Sequence, residues 1–141
     1  MEQITLEGLL DDDLLLIDSA PIIYFLESHP KFGPRFAALF EAHAKGRFRF
    51  AVTTITVAEV LTGPFQAKAP ALARRYLSTL GSWHTVNLDM EIAEAAARLR
   101  AEFRLKLADA VQVASARAIG AAALVTHDRD FSHLKSLRVI S

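Results

Sequence analysis

The sequence predicts an α/β sandwich with a mostly parallel central sheet flanked by helices. Two apolar runs, Leu14-Leu15-Leu16-Ile17 and Ala122-Ala123-Leu124-Val125-Thr126, have the pattern of strands buried on both faces. Longer segments with helical spacing of apolar residues lie between such runs. The two kinds of segment alternate along the chain, as strands joined by crossover helices must.

Each element has its own signal. Residues 3–12 read as a short helix carrying Ile4, Leu6, Leu9 and Leu10, ended by Asp11-Asp12-Asp13. The first strand, 14–17, stops at Asp18. Pro21 suits the first turn of a helix that presents Ile22, Ile23, Phe25 and Leu26 to about Glu27. A loop at 29–34 precedes a helix over 34–45, with Gly46 at its end. The alternating Phe48–Val52 segment predicts a strand running to Thr53 or Thr54. Thr56 opens the next helix, which should stop near Gly63-Pro64. Helices follow at 67–81, with Pro70 in the first turn, and at 89–104, and the short strand 84–88 separates them. A last helix, from about Ala108 to Ile119, leads into the strand 122–126, and 137–140 forms the final strand. No repeat, linker or low-complexity tract divides the 141 residues. The chain reads as a single domain, 1–141, with 1–13 as an N-terminal extension before the first strand.

Composition narrows the chemistry. A chain of 141 residues, 52% hydrophobic, has ample material for a core. It has no cysteine, so disulfides, iron–sulfur clusters and thiolate zinc sites are excluded. Any metal must be held by oxygen or imidazole, which favours Mg²⁺ or Mn²⁺. Sixteen basic and sixteen acidic residues give zero formal charge, unlike the basic excess of a tight nucleic-acid binder. The acidic N-terminus is unlike a signal peptide, and no apolar run reaches the roughly 18 to 20 residues of a membrane span. The expectation is a cytoplasmic protein with no membrane partner.

Four acids stand at the ends of strands or the starts of helices. Asp18 follows the first strand, and Asp128 lies two residues beyond Thr126. Glu59 is assigned to the first turn of the helix after the 48–52 strand, and Asp109 opens the helix before the strand that precedes Asp128. Open α/β sheets bind ligands beyond the carboxyl ends of their strands, and all four acids map to that edge. Each also has a structural reading. Asp18 would cap the following helix, and Thr56-Val57-Ala58-Glu59 matches a capping box. Asp109 would complement a helix dipole, and Asp128 would serve a turn. Four independent caps explain the shared edge less well than one site does. Clustered carboxylates repel one another, and a divalent cation relieves that repulsion. The bound cation can orient a phosphate and activate water. Ser19 and Thr126 offer hydroxyl contacts there, or serve as a helix cap and a strand-end hydrogen bond.

These motifs resemble the PIN-domain nucleases, particularly VapC toxins of VapBC toxin–antitoxin modules. The matching pieces are Leu16-Ile17-Asp18-Ser19, Thr54-Ile55-Thr56-Val57-Ala58-Glu59-Val60, Leu107-Ala108-Asp109-Ala110 and Leu124-Val125-Thr126-His127-Asp128-Arg129-Asp130-Phe131. The resemblance spans about Leu14 to Ile140 and implies a PIN-like three-layer sandwich. It implies that Asp18, Glu59, Asp109 and Asp128 form an acidic catalytic quartet holding one or two Mg²⁺ or Mn²⁺ ions. Ser19, Thr126 and Asp130 would support it, and Arg129 would touch substrate. The implied reaction is hydrolysis of RNA to a 5′-phosphate and a 3′-hydroxyl. The implied partners are an RNA substrate, a VapB-like antitoxin covering the cleft, and a second copy in a homodimer.

The remaining chemistry-bearing residues read as structural. The five histidines have no metal-ligand spacing, and His127 reads as a surface turn residue beside the site. Trp83 and the phenylalanines read as core or interface. Arg47, Arg49, Arg98, Arg100, Arg104 and Lys106 read as solvated faces or local phosphate contacts. Two other functions compete. A response-regulator-type phosphoryl acceptor would need an aspartate ending a central strand and a lysine ending a late one; the strand at 48–52 ends in Thr53-Thr54, and the late strands at 122–126 and 137–140 end without lysine. A non-catalytic PIN-like protein-binding module would keep the fold without cleaving RNA.

Overall fold

The computed structural model describes residues 2–127, 131, 134 and 136–141. Among these residues five strands, β1 (Leu14–Ile17), β2 (Arg49–Thr53), β3 (His84–Val86), β4 (Ala123–Val125) and β5 (Val139–Ile140), form one sheet in the order β3-β2-β1-β4-β5. All four pairings are parallel. Leu16 is paired with Ala51 on one side and Leu124 on the other, so β1 lies at the centre of the sheet. The chain winds outward from β1 through β2 to β3, then crosses back to β4. The switch point therefore lies between β1 and β4, where an open parallel sheet has its ligand crevice.

Among the described residues, six helices cover the two faces: α1 (Ser19–Leu26), α2 (Gly33–Ala44), α3 (Thr54–Gln66), α4 (Pro70–Gly81), α5 (Met90–Phe103) and α6 (Leu107–Ala118). Alternation along β1 separates two cores. Leu15 and Ile17 face Ile22 of α1, Phe36 and Leu39 of α2, Val60 of α3 and Leu80 of α4. Leu16 faces Ile92 and Leu99 of α5 and the buried side of α6. This makes three layers, with α1–α4 on one face and α5–α6 on the other. Residues Ala110–Ala116 of α6 are buried without interruption, because small side chains let the helix lie against both sheet and α5.

The sequence reading is corrected at three places. Residues 3–12 are not a helix. Ile4 and Leu9 are buried in the first core, while Leu10 is 71% exposed. Ile4 N–H donates to Arg35 O (3.1 Å), and the Arg138 guanidinium donates to Glu7 O (2.6 Å). The extension is thus a strap held by tertiary contacts, with Gly8 at φ +85° making its turn. So short a helix would be marginal by itself, and Ile4 and Leu9 are five residues apart, off a single helical stripe.

Helix α3 opens at Thr54, two residues before Thr56, and runs through Gly63-Pro64 to Gln66. A proline so near the helix end disrupts little beyond it, and Gly63 has no Cβ to crowd the ring. The strand predicted over 84–88 ends at Val86, since Leu88 is exposed and Asp89 caps α5 through its bond from Ile92 N–H (2.9 Å). Gly46 follows α2 at φ +78°, the left-handed conformation its position predicts.

The strap generates a test. Ile4→Ala is expected to lower unfolding stability by about 2 kcal/mol, the low end for truncating a buried Ile, because a strap relaxes more readily than a central strand. Urea denaturation measures this, and an unchanged midpoint would show the extension to be passive.

Candidate functional site

Asp18 is the first residue beyond β1 and only 3% exposed. Its backbone N–H donates to Val125 O (2.8 Å), which ties it to β4 across the switch point. Its carboxylate is held from three directions. Ser19 N–H and Gln112 Nε2 both donate to Oδ1 at 2.9 Å, and the Thr126 hydroxyl donates to Oδ2 at 2.8 Å. Asp18 is the N-cap of α1, as its structural reading expects. Ser19 opens α1, and Thr126 follows β4 with its side chain fully buried.

A second cluster adjoins the first. Gln112 Nε2 also donates to Thr56 Oγ1 (2.7 Å), and the Thr53 hydroxyl donates to Gln112 Oε1 (2.7 Å). Thr53 caps α3 by accepting from Thr56 N–H (3.1 Å). The capping pair is therefore Thr53 with Thr56, and Glu59 stands in the second turn of α3, exposed. The capping-box reading of Glu59 fails for that reason. Among the described residues, every buried side-chain nitrogen and oxygen has a hydrogen-bond partner, so this polar hub is fully satisfied.

Helical register places the other two acids. Helix α6 runs from the carboxyl edge, where Gln112 meets Asp18, to the amino edge, where Ala122 N–H donates to Leu14 O (2.8 Å). Asp109 lies three residues before Gln112, on the same helix face and one turn towards the open end, and it is half-buried. Glu59 lies three residues after Thr56 on the same face of α3. The acids thus stand one turn from the hub on two separate helices. Among the described residues no three Asp, Glu or His side chains form a group that could hold a metal ion. Asp128, Asp130 and Arg129 lie outside the described residues.

The N-terminal ends of α1 and α3 meet at this edge, and α6 also begins there. Their aligned peptide dipoles favour negative charge, whether carboxylate or phosphate. His127 is half-buried rather than a free turn residue. Its Nδ1 lies 2.8 Å from Tyr24 Oη, and its ring packs 4.7 Å from Phe32 and 5.9 Å from Phe36.

Two arginines considered for phosphate contact sit elsewhere. Arg47 and Arg49 pair with Asp11 and Asp12 at the amino edge, 3.2 and 3.3 Å apart, in exposed pairs of little energetic value. Arg98 pairs with Glu94 one turn away on α5. Lys106, the N-cap residue of α6, does stand at the carboxyl edge.

The residue that sequence reasoning missed is Gln112. Its signal was present as a lone long amide within Ala110–Ala116, a stretch otherwise of Ala, Val and Ser. A buried amide there needs hydrogen-bond partners to offset its desolvation.

Comparison with known proteins bears on the whole arrangement. The PIN domain family model matches residues 15–137. Among solved structures, the chain is similar to one in a toxin–antitoxin complex from Klebsiella pneumoniae. That match has TM-score 0.69 and 26% identity, covering 90% of this chain and 96% of that one. VapBC2 from Rickettsia felis, solved with a DNA fragment from its promoter, matches with TM-score 0.71 and 20% identity over 89% and 96% of the two chains. VapC20 of Mycobacterium tuberculosis, a toxin cleaving the sarcin–ricin loop, matches with TM-score 0.67 and 14% identity over 90% and 99%. The last two, below 25% identity, support the fold alone. No curated protein matches.

The clamp on Asp18 predicts a stability effect. Thr126→Val removes the donor to Oδ2 from a buried carboxylate and is expected to cost about 2 kcal/mol, in the range for hydrogen bonds to charged groups. Denaturant titration in EDTA would show a smaller loss if the contact were incidental.

Proposed function

This chain belongs to the PIN domain family, and from that membership we propose that it is a Mg²⁺- or Mn²⁺-dependent endoribonuclease, the toxin of a toxin–antitoxin pair. The observation that carries the reading is Asp18, buried at the switch point of a parallel sheet with its carboxylate clamped by Ser19, Gln112 and Thr126. A buried acid is costly, and its position where open parallel sheets bind ligands supports a role beyond the α1 cap.

The donor set suits a hard cation. Asp18, Glu59, Asp109 and Asp128 offer carboxylate oxygen, and no thiolate exists to favour a softer metal. Those four acids would hold one or two divalent ions. Bound there, the cation supplies orientation of the phosphodiester, activation of the attacking water and stabilisation of charge on the leaving oxygen. Water adds to phosphorus, the bond to the 3′-oxygen breaks, and the products are a 5′-phosphate and a 3′-hydroxyl. Ser19 N–H and the Thr126 hydroxyl each donate to one oxygen of the Asp18 carboxylate. The α1 and α3 N-termini favour the incoming phosphate, and Lys106 at the α6 cap adds positive charge near it. Asp130 and Arg129 belong to the same reading, as a supporting acid and a substrate contact.

The neighbours support the antitoxin part of this reading. The Klebsiella pneumoniae chain is part of a toxin–antitoxin complex and the Rickettsia felis chain part of a VapBC complex. A VapB-like antitoxin is the partner proposed here; RNA as substrate, a homodimer as the assembly and the cytoplasm as the compartment belong to the same proposal. Among the described residues no helix is long and apolar enough to cross a membrane. The competing reading, a non-catalytic binding module, draws on the absence of a three-acid group among the described residues.

Cleavage of total cellular RNA with Mn²⁺, with EDTA, and by Asp109→Asn separates them. The enzyme cuts only with metal, and Asp109→Asn loses more than the roughly 10–100-fold that an outer-shell partner costs, with thermal stability little changed. A variant as fast as wild type would sink the quartet. A wild-type protein that neither cuts RNA nor binds Mn²⁺ would be the binding module.

A further inference from the structure

We infer that Gln112 is a positioning residue that sets the angle of the Asp18 carboxylate and the spacing of the three elements carrying Asp18, Glu59 and Asp109. The inference rests on the metal-dependent reading above and deepens it.

The amide's orientation is fixed by its partners rather than by its shape. An ionised carboxylate can only accept, so the group facing Asp18 Oδ1 must be the NH₂ end. The second proton of that NH₂ is directed at Thr56 Oγ1, and the amide oxygen accepts from the Thr53 hydroxyl. Gln112 is 2% exposed and makes contacts to β1, the end of β2 and α3 from its place on α6.

A purely structural tie would not require all of this. The α3 N-terminus is already capped by Thr53 without Gln112. The contact to Asp18 adds nothing to that cap. It does constrain Asp18, because the terminal torsion of a carboxylate is broad and two-fold, and only its hydrogen bonds fix it. Ser19 N–H and Thr126 hold one oxygen each, and Gln112 is the side chain that couples this carboxylate to the other two acid-bearing elements. Thr56 stands one turn before Glu59, and Gln112 one turn after Asp109. The single amide therefore joins the bases of all three supports, and a shift in it is transmitted to three carboxylates at once.

The test is Mn²⁺ titration calorimetry, with thermal melts and RNA cleavage, on wild type, Gln112→Met, Gln112→Asn and Val113→Ala. Methionine keeps the volume and removes both donors, and the asparagine amide stops one methylene short of Asp18. Val113 is buried on the same helix in the core around Leu16 and has no side-chain polar atom to bond the hub, so Val113→Ala serves as a destabilised control. The expected result is a 10–100-fold weaker Mn²⁺ Kd for both Gln112 variants, with cleavage falling in step. Val113→Ala should lower Tm and leave the Kd unchanged. If Gln112→Met fails to fold, Gln112→Asn decides. A folded Gln112 variant with wild-type Mn²⁺ affinity, or affinity lost equally in Val113→Ala, overturns the inference. Wild-type protein that binds no Mn²⁺ overturns the metal reading itself, and that failure is visible before any variant is compared.

Discussion

A carboxylate buried at the end of a central strand must find hydrogen-bond donors or unfold the site around it, and the Asp18 carboxylate imposes that condition here. At 3% exposure it is withdrawn from water, so its oxygens depend on protein donors. Those donors come from the next residue in the chain, from a helix 94 residues away and from a strand end 108 residues away. The elements around the switch point can be arranged in few ways that satisfy this. The relative placement of β1, β4 and α6 is tied to one side chain.

The two-sided core makes that placement reachable. Helix α6 has to approach the sheet closely enough for a glutamine to reach across to β1. Ala110, Ala114 and Ala116 permit it, since each presents only a methyl group to its neighbours. Bulkier residues would hold the helix away and leave the amide out of range. The small residues of α6 thus have a consequence for the site as well as for packing. On the other face, the larger side chains Phe36, Leu39 and Phe40 share one core with Leu15 and Ile17.

Charge is distributed to match. The chain is neutral as a whole, yet its acids and bases are sorted. Arg47 and Arg49 are drawn to the amino edge by Asp11 and Asp12 of the strap, away from the carboxyl edge. The carboxyl edge keeps the acids, the helix N-termini and Lys106.

The sequence by itself determined the α/β class, the parallel sheet and nearly every element. Periodicity and apolar runs are local, and the competing structures they exclude are excluded locally too. It also marked Asp18 and Asp109, whose positions at a strand end and a helix start are visible in a few neighbouring residues. Tertiary structure decided what no local pattern encodes. Residues 3–12 became a strap because Ile4 and Leu9 find partners on α2 and the core, where a helix would have offered one stripe. Thr54 opened α3 because the capping hydroxyl that reaches the third helical N–H belongs to Thr53, which moved Glu59 out to the second turn. Gln112 joined the site because residues 94 positions apart came within 2.9 Å, a contact set by the sheet's winding order and by how closely α6 can lie against it.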